Sequence, residues 1–528
     1  MSNVVPTVRS PVAVGDERMF PTLTPAQIKR VAAHGHMRPI RRGEVLVEAG
    51  DRDVPFFVVT ASQVEIVRPS GATETLITVH EPGQFTGEVN LLSGRRALAR
   101  AQASESGEVI ELDNQHFLAL VQTDSELGEI ILRAFILRRV GLITEGLGDV
   151  VLVGSIHCSG TLRVKQFLTR NGHPYSYIDL DRDTEVQALL DRYHVAATDV
   201  PVLICRGDVV LRNPTNQQIA ACLGFNDAID QTKIRDAVIV GAGPAGLAAA
   251  VYAASEGLDV LVLESSAPGG QAGSSSKIEN YLGFPTGISG QALAGRAYVQ
   301  AQKFGAQVVI ANAAKQLTCD RKPYVVETDN DLRVLARTII IATGAEYRKP
   351  TLENLSQFEG AGVYYAATFM EAQWCGDEEV IVVGGGNSAG QAAVFLAQTA
   401  KRVHVVVRSS GLAQSMSRYL ARRIEENPRI VLRTRTEIVA LKGGNHLERV
   451  RLRNNQTNRA ETHDIRHVFL MTGAAPNTRW VDDCVICDAY GFIKTGADLS
   501  QDELATVRWP LARTPHLLET SLPGVFAV

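Results

Sequence analysis

Short apolar runs broken by glycine fill the first part of the chain, as in GEVLVEAGDRDVPFFVVTASQVEIV at 43–67. Near-alternation of apolar and polar positions is the pattern of half-buried strands, and Gly and Pro mark the turns between them. This predicts a small N-terminal β-barrel or jelly roll, closed by ELGEIILRAFILRR at 126–139, where apolar residues recur at helical spacing. From 149 the pattern becomes strand, helix, strand, helix, strand: DVVLVGSIHCSGT, LRVKQFLTRNG, PYSYIDLD, a further helix, then DVPVLIC and NQQIAACLG. From 236 onward, apolar strands run straight into glycine-rich turns that open alanine-rich helices, twice over. The expected division is 1–148, 149–230, 236–347 with 465–528, and 348–464, in a multidomain chain of α/β and α+β parts.

Length and charge narrow the functional classes. A chain of 528 residues is too long for one ordinary core and suits three or four domains. A formal net charge of −4, with no run of basic residues, gives no electrostatic case for nucleic acid or an anionic membrane. No apolar stretch approaches a membrane span, and MSNVVPTVRSPVAVGDERMF lacks the charged-then-apolar pattern of a leader, so a cytoplasmic protein is expected. Seven cysteines at 158, 205, 222, 319, 375, 484 and 487 are scattered without metal-ligand spacing. They suit a reducing compartment, with neither a disulfide framework nor a metal site expected.

Within the first segment, GQFTGEVNLLSGRRALARA at 83–101 resembles the phosphate-binding cassette of cyclic nucleotide-binding domains. The resemblance implies that Glu88, after Gly87, accepts a ribose hydroxyl and that Arg96 pairs with the cyclic phosphate of cAMP. A guanidinium fork suits phosphate oxygens, and exposed turn amides favour an anion. The plainer alternative is a fold in which Glu88 and Arg96 pair with each other. No helix-turn-helix pattern follows, which weighs against a DNA-binding architecture.

The middle segment resembles the thioredoxin and glutaredoxin fold. Cys158 follows the first strand at a helix start, where amides and dipole would stabilise a thiolate. Thr161 holds the place of the usual second cysteine, and Val200-Pro201 matches that fold's cis-proline element. One cysteine cannot run a dithiol cycle, although it can form a mixed disulfide with a partner thiol. Cys158 may instead be read as an idle small hydrophobe in a docking domain.

The stretch RDAVIVGAGPAGLAAAVYAASEGLDVLVLE at 235–264 carries the full dinucleotide fingerprint: a strand, then Gly241, Gly243 and Gly246, a helix, and a second strand ending in Glu264. A second signature, EEVIVVGGGNSAGQAAVFLA at 378–397, supplies Gly384 and Gly386, with Asn387 next and Ala389 in the third position. Two Rossmann-like sites imply a flavin and a nicotinamide in series. The strand RVHVVVRSSG ends in Arg408 without an acid, which favours a 2′-phosphate and hence NADPH. Arg418 or Arg422 could add charge, or be solvated helix-face residues.

From 236 onward the chain resembles thioredoxin reductases, through APGGQAGSSSKIENYLGFP, RTIIIATGAEYRKP and RHVFLMTGAAPNT. The resemblance implies FAD at the first site, Gln271 and Asn280 beside the flavin, a turn at Thr343 and Gly344, and a homodimer. It would also continue past Val528 into a Gly-Asp turn and a helix facing the flavin, so FAD binding is expected to be weakened. Where that family keeps a Cys-Ala-Thr-Cys dithiol, this chain reads Ala366-Ala367-Thr368-Phe369. Cys375 stands alone, and Cys484-Val-Ile-Cys487, though spaced like a redox pair, is expected to be chance. Electrons from an NADPH-reduced flavin would then pass to Cys158 or a thioredoxin-like protein, to an external quinone or redox protein, or to oxygen. A nucleotide and redox sensor without turnover is the non-enzyme alternative.

Overall fold

The computed structural model describes residues 7–9, 17–70, 73–88, 90–93, 95–144, 150–155, 158–181, 199–205, 209–365, 367, 372 and 375–528. Its N-terminal part is built on two sheets. In one, Val64–Ser70 lies between Thr73–His80 and Arg100–Ala103; in the other, Gly107–Leu112 lies between His36–Ile40 and Phe56–Ala61. Phe56, Phe57, Val58 and Val59 are all buried, because successive residues of that strand face a core on each side. Phe56, Phe117 and Phe135 form one aromatic cluster, with ring centroids 4.9 Å apart for the first pair and 5.9 Å for Phe117 and Phe135. Such pairs add about 0.5–1.5 kcal/mol each beyond their burial. They hold the helices Asn114–Thr123 and Ser125–Thr144 against the sheets.

The middle part is a four-stranded mixed sheet in the order Ser176–Asp179, Val150–Gly154, Val202–Cys205, Val209–Arg212. Its first pair is parallel and the others antiparallel. The helix Ser159–Arg170 follows the first of these strands in sequence, and Asn216–Leu223 starts at a capping box of Thr215 and Gln218. The further helix expected between the two strands lies outside the described residues.

Beyond residue 233 come two parallel-core sheets. The first runs Gln307–Ile310, Val260–Glu264, Ile234–Val240, Arg333–Ile341, then the antiparallel Tyr324–Thr328 and Ala314–Thr318, with Val525–Ala527 added beside Arg333–Ile341. The second runs Val363–Tyr364, His467–Leu470, Glu379–Val383, Arg402–Val406, Ile430–Arg433. His467–Leu470 thus corrects the boundary expected at 464/465. Its apolar residues complete the second sheet, and the chain crosses back at Ala474–Pro476, which pairs with Ala345–Tyr347.

A second correction concerns the cysteines. Cys319 and Cys484 form a disulfide across a sequence separation of 165 residues. Cys484 is therefore not one half of a pair with Cys487, whose thiol is pushed up by burial and by the charges of Asp482 and Asp488. The stretch between them is not strand-rich; it follows the short 3-10 helix Arg479–Val481.

The helix Gly290–Lys303 joins the parts together. Its first residue sits so close to the 272–275 loop that a Cβ on Gly290 would lie 1.8 Å from the Ala272 carbonyl oxygen. Its far end meets the N-terminal part, where Val299 enters the phenylalanine core and Gln122 Nε2 donates to the Lys303 carbonyl at 2.6 Å. Among the described residues, no helix is long and apolar enough to cross a membrane.

Candidate functional site

The first glycine turn is built for close backbone approach. Gly241 has φ of 104°, and a Cβ there would stand 2.2 Å from the Ala342 carbonyl oxygen. A Cβ on Gly246 would stand 1.9 Å from the Gly241 oxygen, so helix and turn pack with room only for hydrogen. The helix Pro244–Ser255 starts at Gly243 without a side-chain cap, which leaves its first amides to an anion. Glu264 is buried at the end of the next strand and accepts from the amides of Ala242, Ser266 and Ala267 at 2.7, 2.8 and 3.1 Å. A carboxylate has about four acceptor positions. Ser265 Oγ also reaches Oε1 at 3.5 Å, but among the described residues Oε2 accepts only the Ala242 amide, which leaves it a position for a ribose hydroxyl, and the turn fits a dinucleotide.

The second turn repeats the construction. Gly384 has φ of 144°, and its Cβ would lie 2.3 Å from the Met471 oxygen. The helix Asn387–Leu396 starts at Gly386, again without a side-chain cap. Asn387 Oδ1 accepts from the Ser417 amide at 2.7 Å and so ties this turn to the loop opposite. Arg408 is exposed just past the strand Arg402–Val406, and its carbonyl accepts from Asn455 Nδ2 at 3.0 Å. Arg418 is exposed too, whereas Arg422 is paired with Glu426 at 2.6 Å along its own helix.

Between the two sheets lies a cleft of about 230 Å³. Gln271 and Asn280 line it from one side, Ser388 and Gln391 from the other, and Tyr347, Tyr365 and Met471 close its end. Thr343 and Gly344 form the turn behind it: Thr343 Oγ1 donates to the Asn477 carbonyl at 2.8 Å, and Asn477 Nδ2 returns a bond to the Thr343 carbonyl at 3.1 Å. Of the dithiol-position segment, Ala366, Thr368 and Phe369 lie outside the described residues. Ala367 is described, and it lines the cleft. Tyr365 donates to Glu359 at 2.6 Å, and its phenol is pushed well above the usual range by burial and by that carboxylate. Arg423 pairs with Glu279 across the two halves.

Cys158 caps the helix Ser159–Arg170. The Val200–Pro201 bond is cis, and Pro201 packs against this helix start, 2.9 Å from where a Gly160 Cβ would be. Thr161 is fully buried. Gly360, just ahead of Tyr365, packs on Ser159 and Leu162, so the Cys158 helix docks beside the strand that enters the cleft.

The N-terminal sheets enclose a separate cavity of about 110 Å³, lined by Gly87, Glu88, Arg138 and largely apolar neighbours. Arg96 is not among its lining residues; its Nη1 donates to the Gly50 carbonyl at 3.0 Å. Glu88 does not pair with it, since Arg139 stands 2.9 Å from Glu88 Oε2. Arg95 is buried at the junction of three parts, donating to Tyr298 at 3.0 Å with its guanidinium 4.5 Å from the Phe225 ring. Sequence reasoning passed over Arg95, Arg138 and Tyr365, since each takes its surroundings from distant segments.

Two dinucleotide turns, one on each of two parallel-core sheets whose loops share a cleft, define the class: an oxidoreductase with two nucleotide sites. The pyridine nucleotide-disulphide oxidoreductase family profile matches residues 235–528, and the chain belongs to that family; a cyclic nucleotide-binding domain profile matches 37–124. The chain is 34% identical to a thioredoxin reductase of Bacillus subtilis over 268 residues, 51% of this chain and 83% of the relative. It is 31% identical to that of Ureaplasma parvum over 268 residues, 51% of this chain and 85% of the relative. A crystal structure of Lactococcus lactis thioredoxin reductase superposes with a TM-score of 0.49 at 27% identity, covering 56% of this chain and 89% of that one. The chain is thus an FAD-dependent pyridine nucleotide-disulphide oxidoreductase, with FAD and NADPH as its cofactors. FAD, when bound, supplies a carrier that takes up two electrons from NADPH and passes them on.

Proposed function

We propose that this chain oxidises NADPH through FAD and delivers the electrons without a dithiol of its own beside the flavin, under the control of a cyclic nucleotide, cAMP. The observation that carries the reading is the shared cleft. Gln271 and Asn280 from one half meet Ser388 and Gln391 from the other, with Ala367 of the dithiol-position segment on the same lining. In the sequence the motif's two cysteine positions are Ala366 and Phe369, and neither residue can accept electrons or form a mixed disulfide. One exit within the chain is Cys158, on the thioredoxin-like middle segment, which would hold the acceptor as a mixed disulfide for the reduced flavin to cleave, and whose helix docks on Gly360.

Control by the N-terminal domain is supported by a continuous packing path. Arg95 grips Tyr298 on the helix Gly290–Lys303, and the other end of that helix abuts the loop bearing Gln271. A nucleotide acts along this path only if it binds two arrangements unequally.

The test is anaerobic turnover of NADPH with two acceptors, a protein disulfide and a quinone, in the wild-type chain and in Cys158→Ser. Loss of disulfide reduction alone, with quinone reduction kept, supports exit through Cys158. Unchanged disulfide reduction excludes that route. A second reading, direct reduction of a quinone or redox protein at the cleft, is favoured by the lack of cysteine at both 366 and 369 in the sequence, and quinone turnover without disulfide turnover would select it.

A further inference from the structure

The cation that lines the N-terminal cavity comes from neither arginine of the glycine-rich turn. It is Arg138, carried by the helix Ser125–Thr144. Arg138 is 7% exposed and boxed in by aromatic rings, with Phe85 at 4.8 Å and Phe20 at 5.1 Å. Its Nε donates to the Met19 carbonyl at 3.0 Å and its Nη1 to the Gly87 carbonyl at 2.8 Å. Its Nη2 is buried without a hydrogen-bond partner. Burial lowers the pKa of this guanidinium to about 9, against the opposing pull of the Glu88 carboxylate. Glu88 stands in the same lining, and its Oε1 is buried and unpartnered while Arg139 flanks its Oε2. His80, also lining the cavity, has a buried Nδ1 without a partner. Buried polar atoms left in this state cost free energy that a matching ligand recovers.

We propose that Arg138 Nη2 is the anion-holding donor of this cavity and Glu88 its hydroxyl acceptor, for a compact anion with a hydroxyl group and an apolar or aromatic body. This rests on reading the domain as a cyclic nucleotide site, and adds that the phosphate meets Arg138 rather than Arg96. Arg96 is held outside the cavity at Gly50, and Arg95 is committed to Tyr298 and Phe225. The remaining wall, including Val47, Ile66, Leu98 and Leu142, suits the flat face of a base.

The experiment is calorimetric titration of the full chain with cAMP, 2′-deoxy-cAMP and adenosine. Wild type is expected to prefer cAMP over both. Arg138→Gln is expected to weaken cAMP by roughly tenfold to a hundredfold, the usual effect of losing a charged hydrogen bond, while adenosine is little changed. Arg96→Gln should preserve the preference for cAMP over adenosine. Glu88→Ala, which removes the acceptor altogether, should erase the preference for cAMP over its 2′-deoxy form, so the site is tested even if Arg138→Gln does not fold. If cAMP binds wild type but Arg96→Gln alone removes the preference over adenosine, or Glu88→Ala leaves the deoxy preference intact, the assignment is overturned. If wild type binds none of the three, the nucleotide reading itself falls.

Discussion

Arg408 stands exposed past a buried strand whose own residues end in apolar Val406 and Val407. An arginine there, with no acid beside it, is the feature that separates a 2′-phosphate from a 2′-hydroxyl. Arg408→Ala is expected to raise KM for NADPH about tenfold and to change KM for NADH by less than about twofold, read from steady-state rates with each cofactor. Glu519 gives a prediction for stability. Burial penalises its charge, but Arg513 and the amides of His516 and Gly524 outweigh that and hold the carboxyl at about 2. A carboxyl depressed below its unfolded value of about 4.3 stabilises the fold above that pH, and the contribution is lost as pH falls through about 2. Glu519→Gln should therefore lower the melting temperature at pH 7, by the equivalent of about 2 kcal/mol, and the gap should close in acid. A gap that persists unchanged at pH 2 would refute this. Single residues such as Gly241 and Glu264 were legible in the sequence because their role depends on a local turn. Arg138 was not, since its partners Met19 and Gly87 belong to distant segments.

At the scale of elements, the glycine turns carry the most specific demand. Gly241 combines a positive φ with a carbonyl 2.2 Å from any Cβ, so Gly241→Ala must either distort the turn or push the 342–343 strand end away. The expected result is loss of bound FAD, seen as a fall in the ratio of flavin to protein absorbance, with the N-terminal domain still folded. The strand–turn–helix units were readable from apolar runs meeting glycine. What the pattern misassigned was His467–Leu470, because a buried parallel strand looks alike in either sheet. The Cys319–Cys484 bond was hidden for a related reason: no disulfide was expected from cysteines so scattered, and its two halves lie 165 residues apart in the chain.

Across the whole molecule, the helix Gly290–Lys303 connects the cavity, the middle sheet and the flavin-side loop. Gln291 Nε2 donates to the Thr169 carbonyl at 2.9 Å, and Tyr298 meets both Arg95 and the N-terminal part. This arrangement was not legible in the sequence, where the helix reads as an ordinary crossover between parallel strands. Its position ties the N-terminal part and the middle sheet to the loop that precedes it, which bears Gln271. The chain departs from a dithiol enzyme in sequence at 366 and 369, where alanine and phenylalanine stand in place of cysteines, and the Cys319–Cys484 disulfide packs against the first sheet's core.

The most direct test of this account is an anaerobic titration of the FAD-loaded chain with NADPH, followed by the visible flavin spectrum. The account predicts complete bleaching by a single equivalent of NADPH per FAD, because no disulfide beside the flavin takes up a second pair of electrons. Bleaching that begins only after a first equivalent has been consumed, or no bleaching at all, would contradict it.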